Sequence, residues 1–263
     1  GWATVSATLV GSVIFLGYFV RPMYARQFHT LKGWRFEPSL FRRLLRFGTP
    51  NGIQFTLEIL VFAIFIMLVG RYGVIELAAT NITFNINTLA FLPMEGMSIA
   101  VSSLVGRRLG QNRPYLAERT TWSAFHLTFA FFGLLAAGYV LIPDVFLFPF
   151  RLRADPVQFA PIRSWVVILL RFVAIYSLFD AMNMVFSAAL KGAGDTRFVA
   201  VVSVLLAVGV LFIPSVLITY LFHGSLLWLW TCVTLYIVGL GTSFWLRFLY
   251  GPWRGMRVIE QKA

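Results

Sequence analysis

Residues 164–197 read SWVVILLRFVAIYSLFDAMNMVFSAALKGAGDTR. From Ser164 to Leu190 the only charges are Arg171 and Asp180. A helix needs about 20 apolar residues to cross roughly 30 Å of hydrocarbon. A backbone in lipid must satisfy its own hydrogen bonds, so such a run is forced to be helical. It ends at Lys191, in a short polar loop that holds Gly192, Gly194, Asp195 and Arg197. The stretch therefore reads as a membrane-spanning helix that carries a carboxylate to mid-depth and stops at a basic border.

Working outward, six more segments meet the same test: approximately 2–20, 48–70, 77–106, 120–142, 198–222 and 226–249. The composition agrees. Hydrophobic residues make up 59% of the 263 and charged residues 12%, with a mean hydropathy of +0.80. A soluble domain carries about 25% charged residues, so a soluble enzyme, a disordered tail and a disulfide scaffold are all disfavoured. The one cysteine, Cys232, lies in an apolar run and permits no internal disulfide. The expected fold class is all-α, a polytopic membrane protein of seven transmembrane helices.

The net charge of +12 raises nucleic acid as a partner, but the basic residues sit between apolar runs instead of forming one solvated face. They sort by side. Of the 22 Lys and Arg, 17 fall in 21–47, 107–119, 191–197 and 247–263. With seven alternating spans these segments share one side, and the positive-inside rule makes it cytoplasmic. The C-terminus is then inside and the N-terminus outside, in a cell (inner) membrane. The lipid bilayer is the partner, and no nucleic acid is expected. Segment 21–47 is basic, and Leu40, Phe41, Leu44 and Leu45 alternate with arginines at helical spacing. That pattern predicts a short amphipathic helix on the membrane surface. Gly48 and Gly52 predict close helix packing. Trp34, Trp122, Trp165, Trp245 and Trp253 are expected at the interfaces, and Pro93 and Pro214 are expected to kink their helices. The absence of an initiator Met, with an outside N-terminus, predicts a chain that continues upstream.

Four charges fall well inside spans: Glu58, Glu95, Arg171 and Asp180. Each costs roughly 2.5–3.5 kcal/mol on insertion scales. Glu58 is 12 residues from Arg46, Glu95 is 12 from Arg107, and Asp180 is 11 from Lys191. At about 1.5 Å per residue, all three carboxylates lie about 16–18 Å from the cytoplasmic border. Polar neighbours share their faces: Gln54 at i−4 from Glu58, Tyr176 at i−4 and Asn183 at i+3 from Asp180. Asn81, Asn85 and Thr88 form another stripe on the Glu95 helix. Carboxylate, phenol and amide oxygens suit a hard cation such as sodium, and a buried carboxylate suits a proton. Glu58, Asp180 and Tyr176 are the expected cation site, with Gln54, Asn183 and Glu95 as accessories. If sodium is the ion, Glu58 and Asp180 are its ligands. No P-loop, HExxH, GxSxG or dinucleotide fingerprint is present, so the chain is not read as an enzyme. No cofactor beyond a coupling ion, sodium or proton, is expected. The three lysines, Lys32, Lys191 and Lys262, lie outside the expected spans, which argues against a retinal protein.

The motifs resemble those of one family. RFGTPNGIQFTLEILVF (46–62) resembles the opening of the seventh helix of multidrug and toxic compound extrusion (MATE) transporters. FLPMEGMSIAVSSLVGRRLGQ (91–111) is similar to their eighth helix and the loop after it. YSLFDAMNMVFSAALKGAGDTR (176–197) is similar to their tenth, and Tyr-x3-Asp before KGAGDTR is the most specific element. The resemblance implies a twelve-helix fold in two six-helix lobes. It implies that 1–20 is the last N-lobe helix, 21–47 the cytoplasmic inter-lobe linker, 48–249 the C-terminal lobe and 250–263 a cytoplasmic tail. It implies a secondary active transporter that exports organic cations and drugs in antiport with sodium or protons, with Glu58, Asp180 and Tyr176 in the C-lobe site. An N-terminal lobe would be missing from the chain. The competing readings are a lipid-linked polysaccharide flippase of the same superfamily, which favours a basic cavity, and a seven-helix receptor or structural module, which has no need of three carboxylates at one depth.

Overall fold

The computed structural model describes residues 2–21, 36–152, 155–222 and 224–256. The expected linker from 22 to 35 and the tail from 257 lie outside these residues. The chain divides into two compact units, Gly1–Arg46 and Phe47–Ala263. In the first, α1 (Trp2–Val20) carries no charged residue, with Leu9, Val13 and Phe15 exposed. In its second part Phe36 packs on Phe41 at 5.1 Å and the Ser39 hydroxyl donates to Glu37 at 3.1 Å.

The second unit is helical, with no strand among the described residues. Its helices are α2 (Pro38–Val69, starting in the first unit), α3 (Val74–Gly110), α4 (Pro114–Leu141), α5 (Pro143–Arg151), α6 (Pro156–Ala193), α7 (Thr196–Tyr220) and α8 (Leu226–Tyr250). All but the nine-residue α5 are long and apolar enough to cross a membrane. With α1, whose apolar stretch Val5–Val20 is shorter, they account for the seven expected segments. The exposed faces carry Met67, Leu89, Leu134 and Leu205, as a lipid-facing surface requires.

Helix ends follow local chemistry. Pro114, Pro143 and Pro156 open their helices at positions where a missing N–H costs nothing. The Asp155 side chain caps α6 by accepting from the Val157 N–H at 3.0 Å. Gly194, at φ 96°, closes α6 in the left-handed region that glycine tolerates. Within α7, Ala207–Phe212 is a π-helical segment immediately before Ile213-Pro214. Pro214 has no N–H for the preceding turn and its ring crowds that turn's carbonyl, so the helix widens there.

Helix α6 is the hub, packed against α3, α4 and α8. Close approach is possible because glycine stands at the crossings. A methyl on Gly192 would overlap the Ser102 backbone of α3, and one on Gly241 of α8 would overlap the Phe179 backbone. At the basic end, Arg247 pairs with Asp195 at 2.8 Å and stacks over Phe198 at 4.5 Å, while Arg254 grips Glu118 at 3.0 Å.

Three expectations are corrected. The stretch 40–47 is helical, but as the start of α2, not as a separate surface helix. Neither Gly48 nor Gly52 takes a positive φ, so no stop signal follows it. Those two glycines meet nothing within 4 Å of an added Cβ, so the close packing lies at Gly192 and Gly241 instead. Trp253 is no interfacial residue. It is wholly buried, stacked on Phe248 at 4.6 Å, and its indole N–H donates to the Phe248 carbonyl at 2.6 Å.

Candidate functional site

A cavity of about 500 Å³ opens among α2, α3, α6, α7 and α8. Its walls draw on both main apolar clusters, the one around Phe65 and Tyr176 and the one that contains Leu240. Glu58 enters from α2, Glu95 from α3, and Tyr176, Asp180 and Asn183 from α6. The structure thus brings all three span carboxylates to one space, together with the phenol and amide expected beside Asp180. Among the described residues no Lys or Arg lines it.

Asp180 is 5% exposed and accepts a hydrogen bond from Asn183 Nδ2 at 3.0 Å, across one helical turn. Glu58 is half-buried. Gln54, one turn before it, is 6% exposed and gives both amide hydrogens away, to Glu58 Oε1 at 2.9 Å and to Ser203 Oγ of α7 at 3.0 Å. Gln54 Oε1 is left buried with no partner among the described residues. An oxygen of that kind is costly to leave empty and is available to a cation or a water. Glu95 is the most open of the three carboxylates. Among the described residues no three His, Cys, Asp or Glu side chains stand close enough together to hold a metal ion. The carboxylates share a cavity without forming a compact cluster.

Aromatic rings make up much of the remaining wall: Phe55, Phe62, Phe65, Phe84, Phe91 and Tyr236. Phe84 stacks on Trp230 at 5.1 Å, and Phe65 meets the same indole edge-on at 6.4 Å. Those contacts tie α2 and α3 to α8.

Sequence reading missed three contributors. Asn87, not Asn85, reaches the site and donates to the Tyr176 hydroxyl at 3.4 Å. Asn81 and Asn85 are exposed, and Asn85 bonds back to the Asn81 carbonyl. Ser203 was hidden because a lone serine in an apolar run has no spacing signal. Tyr236, a phenol midway along α8, was the one contributor with a visible cue. Arg171 is exposed on α6 and does not line the cavity.

Residues 50–218 match the MatE family profile. The chain belongs to the MatE family. The match covers α2 through α7 and so includes every helix that supplies a carboxylate to the cavity. Within this family, the "Probable multidrug resistance protein NorM" of Brucella suis is 29% identical over 199 residues, which is 74% of this chain and 42% of that relative. The MatE fold is also seen in the eukaryotic MATE transporter AtDTX14, at a TM-score of 0.79 and 19% identity, over 95% of this chain and 55% of that one. A MOP superfamily transporter from Pyrococcus furiosus, described as having a binding pocket of reverse polarity that suggests a different function, superposes equally well. Its TM-score is 0.78 at 16% identity, over 96% of this chain and 55% of that one. The chain spans about half the length of the relatives it matches. The MatE chain is a multi-pass membrane protein with an acidic, aromatic-walled cavity.

Proposed function

We propose that the chain forms the C-terminal part of a secondary active transporter that exports organic cations and drugs in antiport with an inward-moving cation, sodium or proton. The observation that carries this reading is the convergence of Glu58, Glu95 and Asp180 from three helices on one cavity with no basic lining. Negative charge buried at mid-depth is expensive unless a cation uses it. A lipid-linked polysaccharide carrier is anionic and would call for the opposite lining, so the flippase reading draws no support from this cavity.

The coupling ion acts as cargo. Asp180, Glu58 and the Tyr176 phenol offer only oxygen donors, which suits a hard cation, and either carboxylate can carry a proton instead. Coupling needs the ion to bind two conformers unequally, since equal binding shifts no population. Ion and cationic drug would compete for one acidic layer. Orientation follows from the basic residues, with the C-terminus in the cytoplasm and the cell (inner) membrane as the site of action.

The test is drug efflux by the full-length transporter with Glu58→Gln and with Asp180→Asn. Each variant is expected to lose ion-dependent efflux by about ten-fold or more, the scale of one buried charged contact. Wild-type efflux and ion dependence in both would sink the site.

A further inference from the structure

Near the ends of α3 and α4 that meet at Gln111–Arg113, a second, open groove of about 360 Å³ is lined by Arg108, Leu116, Arg119, Thr120 and Ser123. It lies apart from the acidic cavity and shares no lining residue with it. Neither guanidinium has an ion pair or a side-chain hydrogen bond among the described residues. Glu118, the acid next to Arg119, already accepts from Nε and one terminal nitrogen of Arg254, at 3.2 and 3.0 Å. Among the described residues no carboxylate lines the groove. The Thr120 hydroxyl already donates to the Leu116 carbonyl at 2.7 Å, so two guanidinium groups and the Ser123 hydroxyl form the donor set for a tetrahedral oxyanion such as a phosphate.

The same two helix faces turn apolar one turn deeper. Leu104 lies at i−4 from Arg108, and Leu127 at i+4 from Ser123, and both are exposed. A headgroup seated between the arginines would have its chains run along these leucines, in a helix pair long and apolar enough to span a membrane. A free anion has no use for the leucines.

We propose that this groove is a binding site for an anionic phospholipid, its phosphate held by Arg108 and Arg119 with Ser123, and its acyl chains against Leu104 and Leu127. Basic pockets between membrane helices recognise such headgroups by charge and apolar contact together. The site rests on the membrane-spanning reading of α3 and α4 and stands independently of the ion site.

The test is titration of the purified full-length protein in neutral detergent with phosphatidylglycerol, read by native mass spectrometry. Phosphatidylcholine and inorganic phosphate serve as the other ligands. Arg108→Gln and Arg119→Gln are each expected to weaken phosphatidylglycerol binding about five-fold, and the double variant about thirty-fold. Arg107→Gln, an exposed arginine outside the groove, is expected to leave it unchanged. Three outcomes would overturn the proposal: wild-type lipid affinity in the double variant, an equal loss in Arg107→Gln, or inorganic phosphate competing as well as the lipid. Retained ion-dependent efflux in the variants would show that a lost lipid adduct reflects this groove and not the acidic cavity.

Discussion

Helices α2 and α6 each bring a carboxylate to the same cavity, but they are held in different ways. Half of the apolar window of α6 is buried, against 28% of that of α2. Helix α6 packs on three neighbours and touches two of them, α3 and α8, backbone to backbone at glycine crossings. The links of α2 are longer. Phe62 and Phe65 reach Phe84 and Trp230, and Gln54 reaches Ser203. Asp180 is therefore built into the frame, and Glu58 is mounted on a helix whose attachment is mostly side-chain tips. The packing makes α2 the less firmly held of the two helices.

The largest effect that would break this comparison is at the crossings. Gly192→Ala forces a methyl against the Ser102 backbone and should cost about 1–3 kcal/mol as overpacking. Gly52→Ala in α2 meets open space and should be neutral or stabilising by about 0.5–1 kcal/mol. Thermal unfolding of the two variants in detergent checks the pair, and equal losses would show that α2 is as tightly packed as α6.

The Gln54 tie sharpens it next. Gln54→Leu removes two hydrogen bonds, including the one from α2 to α7, and is expected to destabilise by about 1–2 kcal/mol. Ser203→Ala should cost about 1 kcal/mol by itself. Because the two side chains share one bond, the double variant should lose less than the sum. Full additivity in that cycle would mean that the bond between them contributes nothing.

The smallest effect lies at the far end of α6, where Arg163 holds Asp144 of α5 through two bonds of 2.7 Å. The hydrogen bond from Arg163, aided by its charge, holds the Asp144 carboxyl below the usual carboxylate value. A carboxylate depressed by folding stabilises above its unfolded value, and that contribution is lost as pH falls through the folded value. The pair is solvent-exposed, so the effect is small. Asp144→Asn should slightly lower the unfolding temperature at neutral pH and make no difference in acid. A loss that persists in acid would point to some role other than the ion pair.

Much of the site was legible because membrane depth is a one-dimensional property. Counting residues from Arg46, Arg107 and Lys191 placed Glu58, Glu95 and Asp180 in one layer, and the cavity holds all three. Pairs one turn apart were legible for the same reason, as Gln54–Glu58 and Asp180–Asn183 are bonded. Azimuth was not legible. Asn85 and Asn87 lie about 80° to either side of Glu95 on an ideal helix, so spacing alone favours neither. Only the position of Tyr176 on a neighbouring helix selects Asn87. The glycines behaved alike. GxxxG pointed to Gly48 and Gly52, while the crossings use Gly192 and Gly241, whose partners are distant in sequence.

By itself, then, the sequence determined that the chain is a set of membrane helices and that three carboxylates share one depth. Both follow from local facts, the self-satisfied backbone in lipid and the fixed rise of a helix. The tertiary structure alone decided which faces meet, that the three acids open onto one aromatic-walled space, and that Gln54 binds Ser203. Those depend on how helices rotate and cross against one another, and rotation is set by the shape of the neighbour, which no single helix encodes.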